Sequence, residues 1–324
     1  MNQLYPLKFD PIFKEKIWGG RKMETFMGAP IQKCGEAWIL SGVEGNESIV
    51  TNGFLEGNNL NELIEVYMYD LVGEENYNRF GQEFPVLVKI IDANDWLSIQ
   101  VHPDDALAMQ RKIGRGKTEM WYILEAEPGA RLISGFSRQS DRNEYLRYLE
   151  EGRLQEILNF EDVEKGDVFF MPAGRVHALG PGILLAEIQE TSDTTYRIFD
   201  WNRTDDEGKP RELHLEEALD AIDFNVHNDY KTPIGKNPNQ TLPLADCEHF
   251  TTNVIHLSGK SVFKDLSALD SFVAYVCTQG MAGIQYPGGT EKLKPGEAIL
   301  VPAITEEITI IPYTDSELLE IYIR

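Results

Sequence analysis

An eight-residue pattern that occurs twice limits the folds open to this chain. Residues 166–173 read GDVFFMPA, and residues 296–303 read GEAILVPA. Both copies contain a glycine, an acidic residue, a short apolar run, a proline and an alanine in that order, and a lysine stands one residue before the first copy and two residues before the second. Turn residues bound a short strand in such a pattern, and self-similarity within a chain indicates related structural units. The sequence therefore predicts two related β units.

Short apolar segments separated by glycine and proline turns recur along the chain. Examples are FPVLVKIIDA (84–93), EMWYILEA (119–126) and ILLAEIQET (183–191). This pattern is typical of antiparallel sandwiches and barrels, so the fold class is predicted to be mainly β. The segment NDYKTPIGKNPNQTLPLADC is rich in Asn, Pro and Gly. We interpret it as the connection between a unit of residues 1–230 and one of residues 231–324.

Helical patterns are fewer. Asn59 and Glu62 have the spacing of a capping box, and apolar residues follow at helical intervals as far as Leu71. A second helical stretch is predicted over residues 141–158, within a small helical insertion at about residues 138–160. Shorter helices are predicted at residues 104–112 and 215–222.

The charge balance and the cysteines exclude several classes of function. The chain has 53 Asp and Glu residues against 30 Lys and Arg, a net charge of -23. Nucleic acid and anionic membranes would be repelled by such a surface. The sequence shows neither a leader pattern nor an apolar window of membrane-spanning length, so a cytoplasmic protein is expected. Cys34, Cys247 and Cys277 are widely spaced and are interpreted as buried or incidental thiols.

The segment LSIQVH (97–102) alternates apolar and polar residues, as a strand with one buried face does. Its other face would carry Ser98, Gln100 and His102. A Gln-x-His pair is costly to bury without a partner, so this face needs a ligand or a polar neighbour. For His102 alone, a hydrogen-bonded core histidine is as good an interpretation as a metal ligand.

Further polar residues accompany the repeat and the strand that follows Lys117. Glu119 opens the strand EMWYIL, and Lys117 lies two residues earlier on the same face. The first repeat is followed by Gly-Arg-Val and His177, whereas the second is followed by Ile-Thr-Glu-Glu. Only the first copy keeps a histidine there. The first unit is therefore the one predicted to carry chemistry.

The run Gly166-x5-Pro172-x-Gly174-x2-His177 resembles the second signature of the cupins. The resemblance implies two cupin-type jelly-roll barrels, with a metal-binding histidine on an inward-facing strand. The candidate ligands form a set of two nitrogens and two oxygens with one formal negative charge, which suits zinc. They are Gln100, His102, Glu119 and His177. One zinc ion per chain is expected, in the first unit, and the other histidines are given structural roles.

Longer segments resemble one family within this superfamily, the type I mannose-6-phosphate isomerases in their short bacterial form. They are FPVLVKIIDANDWLSIQVHPDD, GKTEMWYIL, MPAGRVHAL and AEIQETSDTTYRIFDWNR, with EKIWGG and GEAWILS near the start. The resemblance covers nearly the whole chain. It implies zinc binding by the four ligands just named, and a pocket lined by Lys117.

The resemblance also implies an acid and an arginine behind the last ligand. Glu187 and Arg197 match these positions. Glu190 is the alternative match to the acid, and the Ser-Asp pair at 192–193 favours Glu187. Arg203 is interpreted either as a phosphate ligand or as a solvated surface side chain.

The reaction implied is the interconversion of mannose 6-phosphate and fructose 6-phosphate through an enediol. It needs a polarised oxygen, a proton carrier and cations that stabilise negative charge. Glu187 is a candidate proton carrier, with a zinc-bound water as the alternative, and Arg197 and Lys117 are candidate cations. The alternative function is a non-catalytic, metal-stabilised sugar-binding cupin. Retention of Lys117, Glu187 and Arg197 favours the enzyme, whose expected partner is a sugar phosphate and whose oligomeric state is left open.

Overall fold

Antiparallel strands dominate the fold, which is seen in a computed structural model that describes residues 4–204, 208–235 and 237–324. The first strands are β1 (Leu7–Lys8), β2 (Ile12–Gly20), β3 (Cys34–Leu40), β4 (Val86–Ala93), β5 (Ile99–Val101), β6 (Glu119–Ala126), β7 (Arg131–Phe136), β8 (Leu158–Asp162), β9 (Val168–Met171), β10 (His177–Leu179), β11 (Ile183–Glu190) and β12 (Tyr196–Phe199). The later strands are β13 (Thr241–Asp246), β14 (Thr251–Leu257), β15 (Val262–Asp265), β16 (Val273–Gln279), β17 (Ala282–Tyr286), β18 (Gly289–Leu293), β19 (Ala298–Val301), β20 (Glu307–Pro312) and β21 (Ser316–Tyr322). The predicted mainly β class is confirmed.

The helices are short and lie mostly between strands of the first half of the chain. They are α1 (Lys22–Met27), α2 (Leu60–Tyr67), α3 (Tyr69–Val72), α4 (Glu74–Phe80), α5 (Asp105–Arg111), α6 (Arg142–Glu150) and α7 (Leu215–Ala221), with single 3-10 turns at Gly53–Leu55 and Leu154–Ile157. The sequence did not predict α1 or α4. None of the described helices is long and apolar enough to cross a bilayer.

Two predicted helices form but end early, each because of a local backbone conformation. Asn59 and Glu62 make the predicted capping box, with side chain and backbone N–H bonded in both directions. The helix stops at Tyr67 because Met68 adopts φ 47°, which α-helical geometry does not allow. Helix α6 likewise ends at Glu150, shortly before Gly152, whose φ is 68°. A 3-10 turn follows at Leu154–Ile157.

Two facing sheets build the first unit and contain strands β2 to β12. Their strand orders are β2-β3-β4-β11-β6-β9 and β12-β5-β10-β7-β8. Apolar side chains fill the space between them, among them Trp18, Trp121, Phe169 and Leu185. Helices α6 and α7 cover the outer face of the five-stranded sheet. Ile99 and Val101 therefore pack outward beneath them, and the alternate residues of β5 are left for the interior.

Two further sheets build the second half, with strand orders β1-β19-β16-β21-β14-β13 and β15-β20-β17-β18. Strand β1 joins them from the start of the chain, with Leu7 opposite Leu300. The largest apolar cluster lies between the two six-stranded sheets and joins the halves. Among the described strands no ladder closes a pair of sheets into a ring, so each half is a sandwich.

The two copies of the sequence repeat occupy equivalent places. Strand β9 pairs with β6, with Phe169 opposite Trp121. Strand β19 pairs with β16, with Ile299 opposite Tyr275. Both pairs stand at the same offset within their repeats, so the prediction of two related β units is confirmed. The register also gives a residue-by-residue correspondence between the units.

Candidate active site

The four predicted zinc ligands meet in the interior of the first sandwich. Gln100 of β5 lies opposite His177 of β10, His102 follows β5 directly, and Glu119 opens β6. The Nε2 atom of His177 is 3.2 Å from Oε1 of Glu119, and Nε2 of His102 is 3.6 Å from Oε2. Ligand atoms of His102, Glu119 and His177 lie within 4.8 Å of one another. All three side chains are buried, so the cluster is shielded from bulk water.

Backbone contacts orient both imidazoles toward this cluster. The Nδ1 atom of His102 is 2.9 Å from the carbonyl oxygen of Thr194, and Nδ1 of His177 is 2.9 Å from that of Arg175. A carbonyl oxygen only accepts, so each Nδ1 carries the proton and donates it. Each Nε2 is then left with a lone pair that faces Glu119. Fixing the tautomer through the second ring nitrogen is the usual arrangement of a metal-binding histidine.

Unpaired polar atoms at the centre of the cluster fit a divalent cation. Among the described residues, neither Nε2 of His102 nor either carboxylate oxygen of Glu119 has a hydrogen-bond partner. Leaving buried polar atoms unpaired costs free energy, and a cation bound by all of them would remove that cost. The Gln100 amide has its nitrogen 3.2 Å from Nε2 of His177 and its oxygen accepting from Ser98. Rotating the amide by 180° would turn the oxygen to the cluster.

Burial sets the protonation of these ligands. It lowers the pKa of His102 well below 6.5 and that of His177 to about 4, so both imidazoles stay neutral. It raises the pKa of Glu119 to about 7, and the negative charge of Glu187 adds to this effect. Protons are therefore expected to compete with a metal for Glu119 before they compete for either histidine.

Glu187 lies beside this cluster in a set of strong donors. Its Oε1 accepts a hydrogen bond from Nζ of Lys89 at 3.0 Å, and its Oε2 accepts one from the indole of Trp121 at 2.9 Å. Burial would raise the pKa of Glu187, but the charges of Lys89 and Lys117 outweigh it and lower the pKa to about 2. Glu187 is therefore ionised at neutral pH, whereas Glu119 is close to its midpoint.

Lys89 is the residue at this site that the sequence analysis missed. It lies in β4 directly opposite Glu187 and also donates to Oε1 of Gln189 at 2.6 Å. Burial lowers its pKa, but the charges of Glu187 and Glu36 outweigh this and raise the pKa overall. The available signal was its position, because a lysine within a strand that is buried along its whole length needs a charged partner.

Of the remaining predicted residues, Lys117 and Arg197 lie next to candidate ligands, and Arg203 does not. Lys117 is buried, with Nζ 3.4 Å from Oε2 of Glu119. Arg197 of β12 lies opposite Gln100, and one guanidinium nitrogen donates to the carbonyl of Glu212, while Nε has no partner among the described residues. Arg203 lies elsewhere. It is bound to the buried carboxylate of Asp200 at 2.6 Å.

Glu187 and Glu190 end up in different surroundings. Glu187 contacts Trp121, whereas Glu190 accepts the backbone N–H of Thr118 and lies 3.0 Å from Nδ1 of His249. Of the two alternatives from the sequence, only Glu187 therefore contacts a side chain that packs against the cluster, that of Trp121 beside His177, whereas Glu190 contacts the backbone next to Glu119. The other three histidines without a predicted site have structural partners. They are His214 with the N–H of Arg197, His227 with Asp223, and His256 with Glu317.

The second unit lacks the corresponding ligands. The register that relates β9 to β19 places Val273 where the first unit has Glu119. Counting along the repeat places Glu307 where the first unit has His177. A carboxylate is thus replaced by an apolar side chain at the centre of the cluster. Zinc binding at this second position is not expected.

A reduced copy of the Glu187 cluster does survive in the second unit. Glu320 accepts from the hydroxyl of Tyr275 at 2.8 Å and from the amide of Asn253 at 2.9 Å. By strand pairing these three residues correspond to Glu187, Trp121 and Lys89. The buried carboxylate is present in both units, and the full set of candidate metal ligands is present in one.

The chain is similar to known proteins of one family. The chain matches the family described as phosphomannose isomerase type I, catalytic domain, over residues 6–129. It is 38% identical to mannose-6-phosphate isomerase ManA of Bacillus subtilis over 268 residues, 80% of this chain and 82% of that protein. It is 37% identical to a mannose-6-phosphate isomerase of Streptococcus mutans over 252 residues, 77% of this chain and 75% of that protein. The crystal structure of the mannose 6-phosphate isomerase from Bacillus subtilis superimposes with a TM-score of 0.88 and 30% identity, over 98% of this chain and 99% of that one. The chain belongs to the type I mannose-6-phosphate isomerase family.

Proposed function

We propose that the protein interconverts D-mannose 6-phosphate and D-fructose 6-phosphate through an enediol, with one zinc ion held by Gln100, His102, Glu119 and His177. The observation that carries the proposal is the ligand cluster, in which two neutral imidazoles face a buried carboxylate whose oxygens make no hydrogen bond to the described residues. Bound zinc would act as a Lewis acid toward the substrate oxygens. Family membership supplies the substrate class.

Three side chains of the chain itself have the chemistry that the isomerisation needs. An ionised carboxylate can take a proton from one sugar carbon and return it to the next, and Glu187 is ionised and held by Lys89 and Trp121. Lys117 and Arg197 would stabilise the negative charge that develops on the substrate oxygens. These cations also suit a phosphorylated substrate in a chain of net charge -23.

The competing proposal is a sugar-binding cupin without turnover. A direct test is to incubate zinc-loaded protein with mannose 6-phosphate and to measure fructose 6-phosphate, with metal-stripped protein as the control. We expect product with the zinc-loaded protein and a loss of activity on stripping. Binding of the sugar phosphate without product would favour the binding protein instead.

We further propose that residues 1–230 form the metal-binding catalytic domain, with a helical insertion at residues 138–160, and residues 231–324 a metal-free second domain. Strand β1 crosses between them. The three free cysteines favour a reducing compartment, so we propose a cytoplasmic location, which subcellular fractionation would test. The acidic surface favours a small-molecule partner over nucleic acid or membrane.

Zinc affinity is expected to fall as the pH is lowered from about 7 toward 4, by about tenfold per pH unit, because one proton competes for Glu119. The histidines should contribute only near the lower end of this range, because burial lowers the pKa of both and that of His177 reaches about 4. Competition titrations with a chelator at several pH values would measure the slope. Glu119→Gln should bind zinc more weakly and lose most of the slope. An unchanged slope in that variant would contradict the assignment.

Replacing Arg197 by alanine is expected to lower turnover by about 10²- to 10³-fold, because it removes one preorganised donor for the charged intermediate. Zinc content and substrate affinity should change less. Arg197→Lys should recover only part of the rate, since it restores charge but not the planar two-donor geometry. Metal analysis, calorimetry and exchange of the substrate C2 proton with solvent, on the same preparations, would check this. If the substrate C2 proton exchanged at the wild-type rate in Arg197→Ala, the role of Arg197 would be structural.

A further inference from the structure

The backbone that carries Lys117 and Glu119 is held by two carboxylates. Oδ1 of Asp105 accepts the N–H of Gly116 at 2.8 Å, and Oε1 of Glu190 accepts the N–H of Thr118 at 2.7 Å. The N–H of Glu190 also donates to the carbonyl of Thr118 at 3.1 Å. Each carboxylate thus uses one oxygen to fix the short segment at residues 116–119.

The second oxygen of each carboxylate faces a histidine from the other half of the chain. Nδ1 of His249, in the loop between β13 and β14, is 3.0 Å from Oε2 of Glu190 and 4.0 Å from Oδ2 of Asp105. Its Nε2 is 3.4 Å from a carboxylate oxygen of Glu248. Arg79 also approaches this loop, where it donates to the backbone carbonyl of Glu248 at 3.0 Å. A protonated His249 therefore balances the charge of the two carboxylates that fix the segment.

We propose that His249 is a positioning residue, through which the second unit fixes the backbone of residues 116–119 and thereby the placement of Lys117 and Glu119. Glu190 is buried, and removing one partner of a buried ion pair leaves the other charge without compensation. Without that cation the carboxylate would turn toward water. This movement would weaken the bond to the N–H of Thr118, which lies between Lys117 and Glu119.

The charge state of His249 predicts a pH dependence that a residue acting only through packing would not show. Burial opposes its protonation, but the hydrogen bond and charge of Glu190, with the charges of Asp105 and Glu248, outweigh burial and raise its pKa above 6.5. The contact is therefore complete below pH 6.5 and is lost as the pH rises through the raised pKa. A lysine at this position would keep its charge to about pH 10.

Hydrogen exchange of the zinc-loaded protein tests this inference on the backbone itself. The quantity measured is the protection factor of the amides in residues 116–119, for wild type, His249→Gln and His249→Lys. His256→Gln is the matched control, because His256 belongs to the second unit and lies 3.0 Å from Glu317, which does not contact this segment. At pH 6 we expect about tenfold lower protection and about tenfold faster zinc loss to a chelator in His249→Gln, the lower end of the range for residues that support metal ligands. His249→Lys and His256→Gln should resemble wild type.

The wild-type protein provides a second measurement that needs no variant. Its protection factors at residues 116–119 should fall as the pH rises through the raised pKa of His249, and this fall should be absent in His249→Lys. Unchanged protection in both His249→Gln and alkaline wild type would overturn the inference. The effect on zinc loss rests on the proposed function, but the backbone protection does not. A wild-type protein without isomerase activity that still shows the pH-dependent protection would refute the proposed function alone.

Discussion

Replacing His177 by alanine is expected to remove bound zinc and to abolish isomerase activity while the protein stays folded. The imidazole would supply one of two neutral nitrogen ligands, and its tautomer is fixed by the carbonyl of Arg175. Losing it leaves Glu119 with fewer partners in a buried site. The apolar cores between the sheets do not depend on this residue, so circular dichroism and a cooperative thermal transition should be retained. Metal analysis should fall from one zinc per chain to nearly none.

His102→Ala should behave in the same way, and His227→Ala serves as the control. His227 pairs with Asp223 at the surface, outside the ligand cluster, so its loss should leave zinc content and activity unchanged. Two zinc ions per wild-type chain would contradict the assignment, because the second unit has Val273 in the place of Glu119. Wild-type zinc content in His177→Ala would contradict it as well.

Replacing Glu187 by glutamine is expected to lower turnover by about 10²- to 10⁴-fold, the usual contribution of a positioned proton carrier. Glutamine preserves the shape and can still accept from Trp121, so zinc content and sugar-phosphate binding should be nearly unchanged. Steady-state kinetics and exchange of the substrate C2 proton would measure the loss. Turnover close to wild type would mean that another group carries the proton.

A second variant tests why this carboxylate is ionised. Lys89→Met removes the cation whose charge opposes the effect of burial, so the pKa of Glu187 should rise from its present value of about 2. With zinc in excess, the part of the acid limb that belongs to Glu187 should then move to higher pH. In Glu187→Gln that part should be absent, and only the limb set by zinc loss should remain. An unmoved limb in Lys89→Met would show that Lys89 does not control the ionisation of Glu187.

Several features were predictable because they depend only on residues that are close together in the sequence. The period of two in LSIQVH separates Gln100 and His102 from the apolar face, and the glycine–proline turn of the repeat fixes the position of His177. The capping box at Asn59 and Glu62 is likewise complete within four residues. Turn geometry and side-chain alternation depend only on neighbours along the chain, so these predictions needed no tertiary information.

These local patterns do not predict the partners of charged residues. Lys89 and Glu187 are separated by 98 residues in sequence, and His249 contacts Glu190 from the other unit. Glu187 lies between Lys89 and Trp121 because β11 runs between β4 and β6. Strand order is decided by packing of whole sheets, and no segment of the sequence encodes it alone.

The sequence by itself therefore determined the two β units, the family resemblance and the residues predicted to bind zinc. Only the tertiary structure decided which histidine nitrogen faces the cluster, which carboxylate is ionised and how His249 of the second unit contacts the carboxylates that hold residues 116–119. The physical reason is that hydrogen-bond partners and local dielectric set protonation, and both depend on residues brought together from distant parts of the chain. Glu119 and Glu187 are the same residue type, yet burial beside different charges moves their pKa values in opposite directions.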